Sequence, residues 1–151
     1  MLATLSKWPS RKWVLRGCLC GAGGAYLAVH LRNGWLPWDE GSIAVTAERV
    51  LLGGLPHRDF PDLYTGGLSF LNALAFRTLG IDLLSPRILL LVAFVLWLVV
   101  LYELCSRFMP ESWSALVVGL AIVWSVPNYP AAVPSWYNLF LATAGLLAIV
   151  A

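Results

Sequence analysis

Two adjacent carboxylates, Asp39 and Glu40, are the residues whose types and spacing most directly suggest chemistry in this chain. They stand directly before residues 41–52, whose apolar periodicity predicts a short amphipathic helix. Two carboxylates at a helix start could remove a proton from a hydroxyl group or coordinate a cation. Alternatively, Asp39 caps the helix and Glu40 favours its dipole, together worth about 0.5 to 2 kcal/mol. Spacing alone leaves both interpretations open.

A second polar group, His57, Arg58, Asp59 and Tyr64, follows this helix. The guanidinium of Arg58 suits a phosphate because it donates two parallel hydrogen bonds, but it could equally pair with Asp59 or Asp62. The ring of Tyr64 could stack on a bound substrate or sit among interfacial aromatic residues, and His57 has no evident partner. These side chains are candidates for substrate binding.

The chain around these groups is 60% hydrophobic and 12% charged, with a mean hydropathy of +0.77, which is typical of an integral membrane protein. Six of the eight acidic residues and five of the ten basic residues lie between Arg32 and Arg87, whereas residues 112–151 carry no charge. The net charge of +2 and the absence of a basic groove exclude a nucleic-acid partner. The three cysteines give no disulfide or metal signal.

The apolar segments predict an all-α, polytopic membrane protein, because a hydrocarbon layer of about 30 Å needs about 20 helical residues. We expect about four spans, at about residues 13–31, 86–105, 112–126 and 136–151. Residues 32–85 form an outer loop between the first two. The basic residues Lys7, Arg11, Lys12 and Arg16 predict a cytoplasmic N-terminus and an uncleaved anchor rather than a signal peptide. The fourth span is still apolar at Ala151, so we expect a truncated chain.

Two short helices in the outer loop must position the candidate residues. The first spans residues 41–52 and stops at Gly53-Gly54, and the second spans residues 68–79 and stops at Gly80. Both are too short to cross a bilayer, which predicts that they lie on its surface. Arg77 and Arg87 are expected to anchor to lipid headgroups.

The order of several motifs resembles the N-terminal part of a GT-C superfamily membrane glycosyltransferase. The similarity runs from about residue 10 onward and is strongest to bacterial proteins grouped with the protein mannosyltransferases and the lipid A aminoarabinose transferases. The motifs are Trp38-Asp39-Glu40-Gly41, a helix ending Leu51-Leu52-Gly53-Gly54, Arg58-Asp59-Phe60, Tyr64-Thr65-Gly66-Gly67, Phe76-Arg77-Thr78-Leu79-Gly80 and Pro86-Arg87.

The resemblance implies an inverting transfer of a sugar from a polyprenyl phosphate to a hydroxyl on a lipid, glycan or protein acceptor. The reaction would occur at the outer face of a bacterial inner membrane. It implies that Asp39 is the base or orients the acceptor, with Glu40 as its neighbour. We expect no cofactor, although Asp39, Glu40 and Asp59 could hold a divalent metal.

A different class of function is a non-catalytic membrane subunit, or a protein that helps to move or assemble a lipid-linked precursor. Gly17, Gly21 and Ala25 lie four residues apart, a spacing that lets another helix approach closely. Family members normally have many more spans, so the resemblance implies that other spans complete the donor and acceptor sites; whether this chain is active alone is left open.

Overall fold

The computed structural model describes residues 11–151, and these residues contain no β-strand, which confirms the all-helical prediction. The basic residues Lys7, Arg11 and Lys12, used above to predict the topology, lie outside the residues whose side chains are described. Six α-helices follow one another within residues 11–151: α1 Arg11–His30, α2 Ser42–Leu51, α3 Gly67–Leu79, α4 Leu84–Phe108, α5 Glu111–Trp124 and α6 Pro134–Val150.

Helix α4 is the centre of the structure. It has 25 residues and a mean hydropathy of 2.7 in its most apolar window, so it is long and apolar enough to cross a membrane. It is the one helix among residues 11–151 that meets both conditions, and the apolar helix α6 is shorter, with 17 residues. Helices α1, α5 and α6 pack against α4 around a core of buried side chains: Leu27, Leu90, Phe94, Trp97, Leu98, Val118, Ile122 and Phe140.

A glycine of α1 sets the close approach to α4 and α5. A Cβ atom placed on Gly23 would lie 2.5 Å from Leu98 Cδ1 and 3.1 Å from Ile122 Cγ1, so this position cannot take a side chain without displacement. The glycines singled out from the sequence behave differently. At Gly17 and Gly21 such an atom meets nothing within 4 Å in the described structure. Their face is therefore open.

The loop between α1 and α4, residues 31–83, contains both predicted short helices. The structure has α2 from Ser42 to Leu51 and α3 from Gly67 to Leu79, each within one residue of the predicted bounds. The helix α3 ends at Gly80, whose φ of +100° favours glycine. The two helices pack face to face through Ala47, Ala73 and Phe76.

The connection between α5 and α6, residues 125–133, folds back onto this loop. A short 3₁₀ turn, Val126–Asn128, follows α5 directly. Ala131 and Val133 are buried against Ile43 in the first turn of α2. The fold therefore brings together two segments that are about 90 residues apart in the sequence, and both border the acidic pair.

Candidate functional site

Asp39 lies in a π-helical turn, Pro37–Gly41, that leads into α2. Its carboxylate Oδ2 accepts a hydrogen bond from the hydroxyl of Tyr129. Its other oxygen, Oδ1, has no hydrogen-bond partner among the described residues. The helix-capping interpretation of Asp39 is wrong, because α2 follows directly from Gly41 and no side chain caps it.

Tyr129 belongs to the α5–α6 connection and is held there by its own backbone. Its N–H donates to the Val126 carbonyl at 2.9 Å, and its carbonyl accepts from Trp136 Nε1 at 3.0 Å. The hydrogen bond to Asp39 raises the pKa of Tyr129 to about 12, with a smaller contribution from burial. No local pattern predicted this contact, since Tyr129 stands simply as a tyrosine between prolines in a predicted outer turn.

Glu40 points away from Asp39 into the protein and forms a buried ion pair with Arg87. Arg87 Nε and Nη2 donate to the two carboxylate oxygens of Glu40, each at 2.6 Å. Arg87 also donates to the carbonyls of Leu31 at 2.6 Å and Gly34 at 2.8 Å. The prediction that Arg87 anchors to lipid headgroups is wrong, because the residue is only 5% exposed.

The physical reason for this arrangement is the end of α1. The backbone turns at residues 31–34 directly after α1, and the guanidinium supplies donors to carbonyls of this turn. Its positive charge is then neutralised by Glu40, since a buried charge without a partner is costly. Only one member of the acidic pair, Asp39, therefore presents its carboxylate to the surface.

Asp39 and Tyr129 border a cavity of about 350 Å³. Its other walls come from α6, the residues preceding it and Tyr64. Tyr64 also borders an apolar groove of about 570 Å³ between α3, α4 and α6, and a cavity of about 490 Å³ beside α2. Tyr64, a predicted substrate-binding residue, thus lines all three spaces.

Arg58 and Asp59 form an exposed pair. Arg58 Nε and Nη2 donate to the two oxygens of Asp59, each at 2.8 Å, and Asp59 also accepts from the Leu55 N–H at 2.8 Å. The bonds from Arg58 and then Leu55 lower the pKa of Asp59 to about 2. Neither residue is among those that line the three spaces around Tyr64. The alternative pairing with Asp59 is thus the one observed.

His57 has a partner that the sequence did not reveal. Its Nε2 lies 2.8 Å from the carbonyl oxygen of Tyr64, within hydrogen-bonding distance, and its backbone has a φ of +64°. This contact ties the turn at residues 55–60 to the chain around Tyr64. His57 therefore supports Tyr64, and its imidazole is partly occupied by that contact.

Arg49 is a basic residue of α2 that was not among the predicted substrate-binding residues. Its guanidinium lies 5.4 Å from the centre of the Phe60 ring and lines the cavity of about 490 Å³ with Trp38 and Tyr64. In the part of the chain that the structure describes, Arg49 forms no salt bridge. It is better placed than Arg58 to meet an anion in this cavity.

The acids considered for metal binding are dispersed onto different partners: Asp39 onto Tyr129, Glu40 onto Arg87, and Asp59 onto Arg58. Residues 11–151 contain no group of three or more His, Cys, Asp or Glu side chains that could hold a metal. No protein-family model, no curated protein and no solved structure matches the chain.

Of the three acids considered for metal binding, Asp39 is the one whose carboxylate keeps an open oxygen, and its cavity shares Tyr64 with the apolar groove.

Proposed function

We propose that this chain carries the acceptor-activating site of a GT-C-type membrane glycosyltransferase, which moves a sugar from a polyprenyl phosphate to a hydroxyl group with inversion. One observation carries the proposal. Asp39 has one oxygen held by Tyr129 and the other open, in a cavity that shares the lining residue Tyr64 with an apolar groove. A carboxylate beside an apolar groove suits the activation of a hydroxyl next to a lipid substrate.

The proposal includes a polytopic membrane protein with four spans, α1, α4, α5 and α6. Large apolar side chains on the outward faces of the last three support it: Leu96 is 62% exposed, Leu120 59% and Ile149 83%. Contiguous exposed apolar surface is unfavourable in water but not in lipid. With the basic N-terminus in the cytoplasm, the cavity at Asp39 faces the outside of a bacterial inner membrane.

In the proposed reaction, the acceptor hydroxyl donates its proton to Asp39 Oδ1 as its oxygen attacks the anomeric carbon of the sugar. The bond between that carbon and the phosphate oxygen breaks, and the polyprenyl phosphate leaves with the electron pair. Attack on the face opposite the phosphate inverts the anomeric configuration. A positioned general base contributes about 10²- to 10⁴-fold to such a step.

The groove between α3, α4 and α6 suits the lipid part of the donor. Its walls are mostly apolar and come from Leu68 and Leu71 of α3, Leu96 of α4, and Phe140 and Leu141 of α6. A volume of about 570 Å³ lies within the range of small-molecule sites and suits the first isoprene units. The sugar would then lie near Tyr64, whose ring can stack against it.

The departing phosphate needs a cation, and two arginines of the loop are candidates. Arg58 would have to give up its two hydrogen bonds to Asp59, whereas Arg49 forms no salt bridge among the described residues. Arg49 also lines the cavity beside α2, of which Tyr64 is a wall as it is of the groove. We therefore assign Arg49 to the phosphate ahead of Arg58, and His57 to support of Tyr64.

The second candidate function is a non-catalytic subunit that packs on another membrane protein. The open face of α1 at Gly17 and Gly21 favours it, since a partner helix could approach closely there. Replacing Gly17 and Gly21 with leucine would disrupt such a complex and leave sugar transfer unchanged. The two functions are therefore separable.

The test is a sugar-transfer assay on the full-length protein in native membranes, with polyprenyl-phosphate mannose and polyprenyl-phosphate aminoarabinose as donors. The product anomer is determined by NMR, and inversion is expected. Asp39→Asn should lower the rate by about 100-fold or more. The matched control is Glu48→Gln, an exposed acid on α2 that lines none of the spaces around Tyr64. Unchanged transfer by Asp39→Asn, or no transfer from either donor, would overturn the proposal.

A further inference from the structure

We infer that Tyr129 is the positioning residue for Asp39, fixing its carboxylate so that Oδ1 alone receives the acceptor proton. The inference rests on the proposed function, which makes Asp39 the base. Tyr129 and Asp39 are 90 residues apart, and their hydrogen bond is the polar link between the α5–α6 connection and the turn before α2. Tyr129 acts through Asp39 and needs no contact with the reacting atoms.

The phenol is held from its own side. Hydrogen bonds from Tyr129 N–H to Val126 and from Trp136 to the Tyr129 carbonyl fix the backbone at this residue. Ala131 and Val133 follow it and are buried against Ile43. Since Ile43 lies only four residues after Asp39, the packing sets the distance between the two partners.

The hydrogen bond from Tyr129 makes the two carboxylate oxygens of Asp39 inequivalent. The terminal torsion of an aspartate is broad, so an unheld carboxylate exchanges its oxygens by rotation. With Oδ2 occupied by the phenol, Oδ1 is the oxygen without a partner in the described structure. The donor persists across the neutral range, because the pKa of Tyr129 is raised to about 12.

A purely structural role for Tyr129 predicts different stability and kinetic results for Tyr129→Phe. If the hydroxyl only ties two segments together, Tyr129→Phe lowers thermal stability and the amount of folded protein, and the remaining molecules react at the normal rate. If it positions the base, the same variant lowers kcat and leaves the KM for the donor unchanged. Tyr129→Phe keeps the ring packing, so it tests the hydroxyl alone.

The experiment compares the wild type, Tyr129→Phe and Asp39→Asn in lipid nanodiscs, with Tyr26→Phe as the matched control. Tyr26 lies on α1, where the centroid of its ring is 4.6 Å from that of the His30 ring, and it does not line the cavity at Asp39. We expect Tyr129→Phe to lower kcat by about 10- to 100-fold, as for the loss of a hydrogen bond to a charged group. The donor KM and the Tm of Tyr129→Phe should stay near the wild-type values. Tyr26→Phe should keep the wild-type kcat, donor KM and Tm.

NMR of ¹³C-labelled tyrosine tests the contact without any turnover. The resonance that disappears in Tyr129→Phe should titrate at a clearly lower pH in Asp39→Asn than in the wild type. Identical titration in both, or a normal kcat for Tyr129→Phe while Asp39→Asn is inactive, overturns the inference and leaves the proposed base in place. Full activity of Asp39→Asn instead overturns the proposed function.

Discussion

Replacing Arg87 with leucine removes the positive half of the buried ion pair and leaves the Glu40 carboxylate buried without its partner. The two residues are 5% and 6% exposed, and they share two hydrogen bonds of 2.6 Å. Breaking such a pair from one side costs about 3 to 5 kcal/mol of unfolding free energy. Arg87 also satisfies the carbonyls of Leu31 and Gly34, so we expect the upper half of that range.

The assay is equilibrium unfolding in mixed micelles, followed by tryptophan fluorescence. Arg77→Leu is the matched control, because Arg77 is an exposed arginine on α3, and its change should stay within about 0.5 kcal/mol. The double variant Glu40→Leu with Arg87→Leu removes both charges and should recover about 2 kcal/mol or more. A loss below about 1 kcal/mol for Arg87→Leu, or a double variant no better than the single one, would refute this reasoning.

Two further predictions follow from local geometry. Gly23→Leu should lower the unfolding free energy by about 1 to 3 kcal/mol, because the new side chain meets Leu98. Gly17→Leu should leave the unfolding free energy nearly unchanged, since that position is open. Equal effects of the two variants in the same unfolding assay would contradict the packing at Gly23. The pKa of Asp59 is lowered from 3.8 to about 2, so the Arg58–Asp59 contact stabilises the fold above about pH 4 and is lost as the pH falls through about 2. Comparing Tm for wild type and Asp59→Asn across that range should show a difference that shrinks on acidification, and a constant difference would exclude this linkage.

The helices of this protein could be predicted well from local signals. Apolar periodicity and the glycines at Gly53 and Gly80 gave α2 and α3 to within one residue, because helix ends depend on nearby residues. The long apolar run that starts near Pro86 gave α4 for a similar reason. These features need no knowledge of which segment packs against which.

The partners of the acidic pair could not be predicted, since they depend on packing between distant segments. Glu40 and Arg87 are 47 residues apart, and Asp39 and Tyr129 are 90 residues apart. Arg87 follows the start of an apolar helix, where an exposed anchor is the usual expectation. Its burial goes with hydrogen bonds to carbonyls in the turn after α1, which only the folded arrangement reveals.

The glycines of α1 show the same limit at the level of packing. Gly17 and Gly21 have the spacing of a helix contact, but the close approach occurs at Gly23. A helix rich in small residues offers several faces on which a neighbour could pack. The face used in this structure is set by the side chains of α4 and α5, which the spacing within α1 does not specify.

The central claim is that Asp39 receives the acceptor proton, and single-turnover sugar transfer in nanodiscs tests it most directly. Donor is bound to saturation before the acceptor is added, so differences in donor binding do not affect the rate. We expect Asp39→Asn to slow the transfer step by about 100-fold or more, whereas Glu48→Gln should retain the wild-type rate. Equal single-turnover rates for wild type and Asp39→Asn would contradict it.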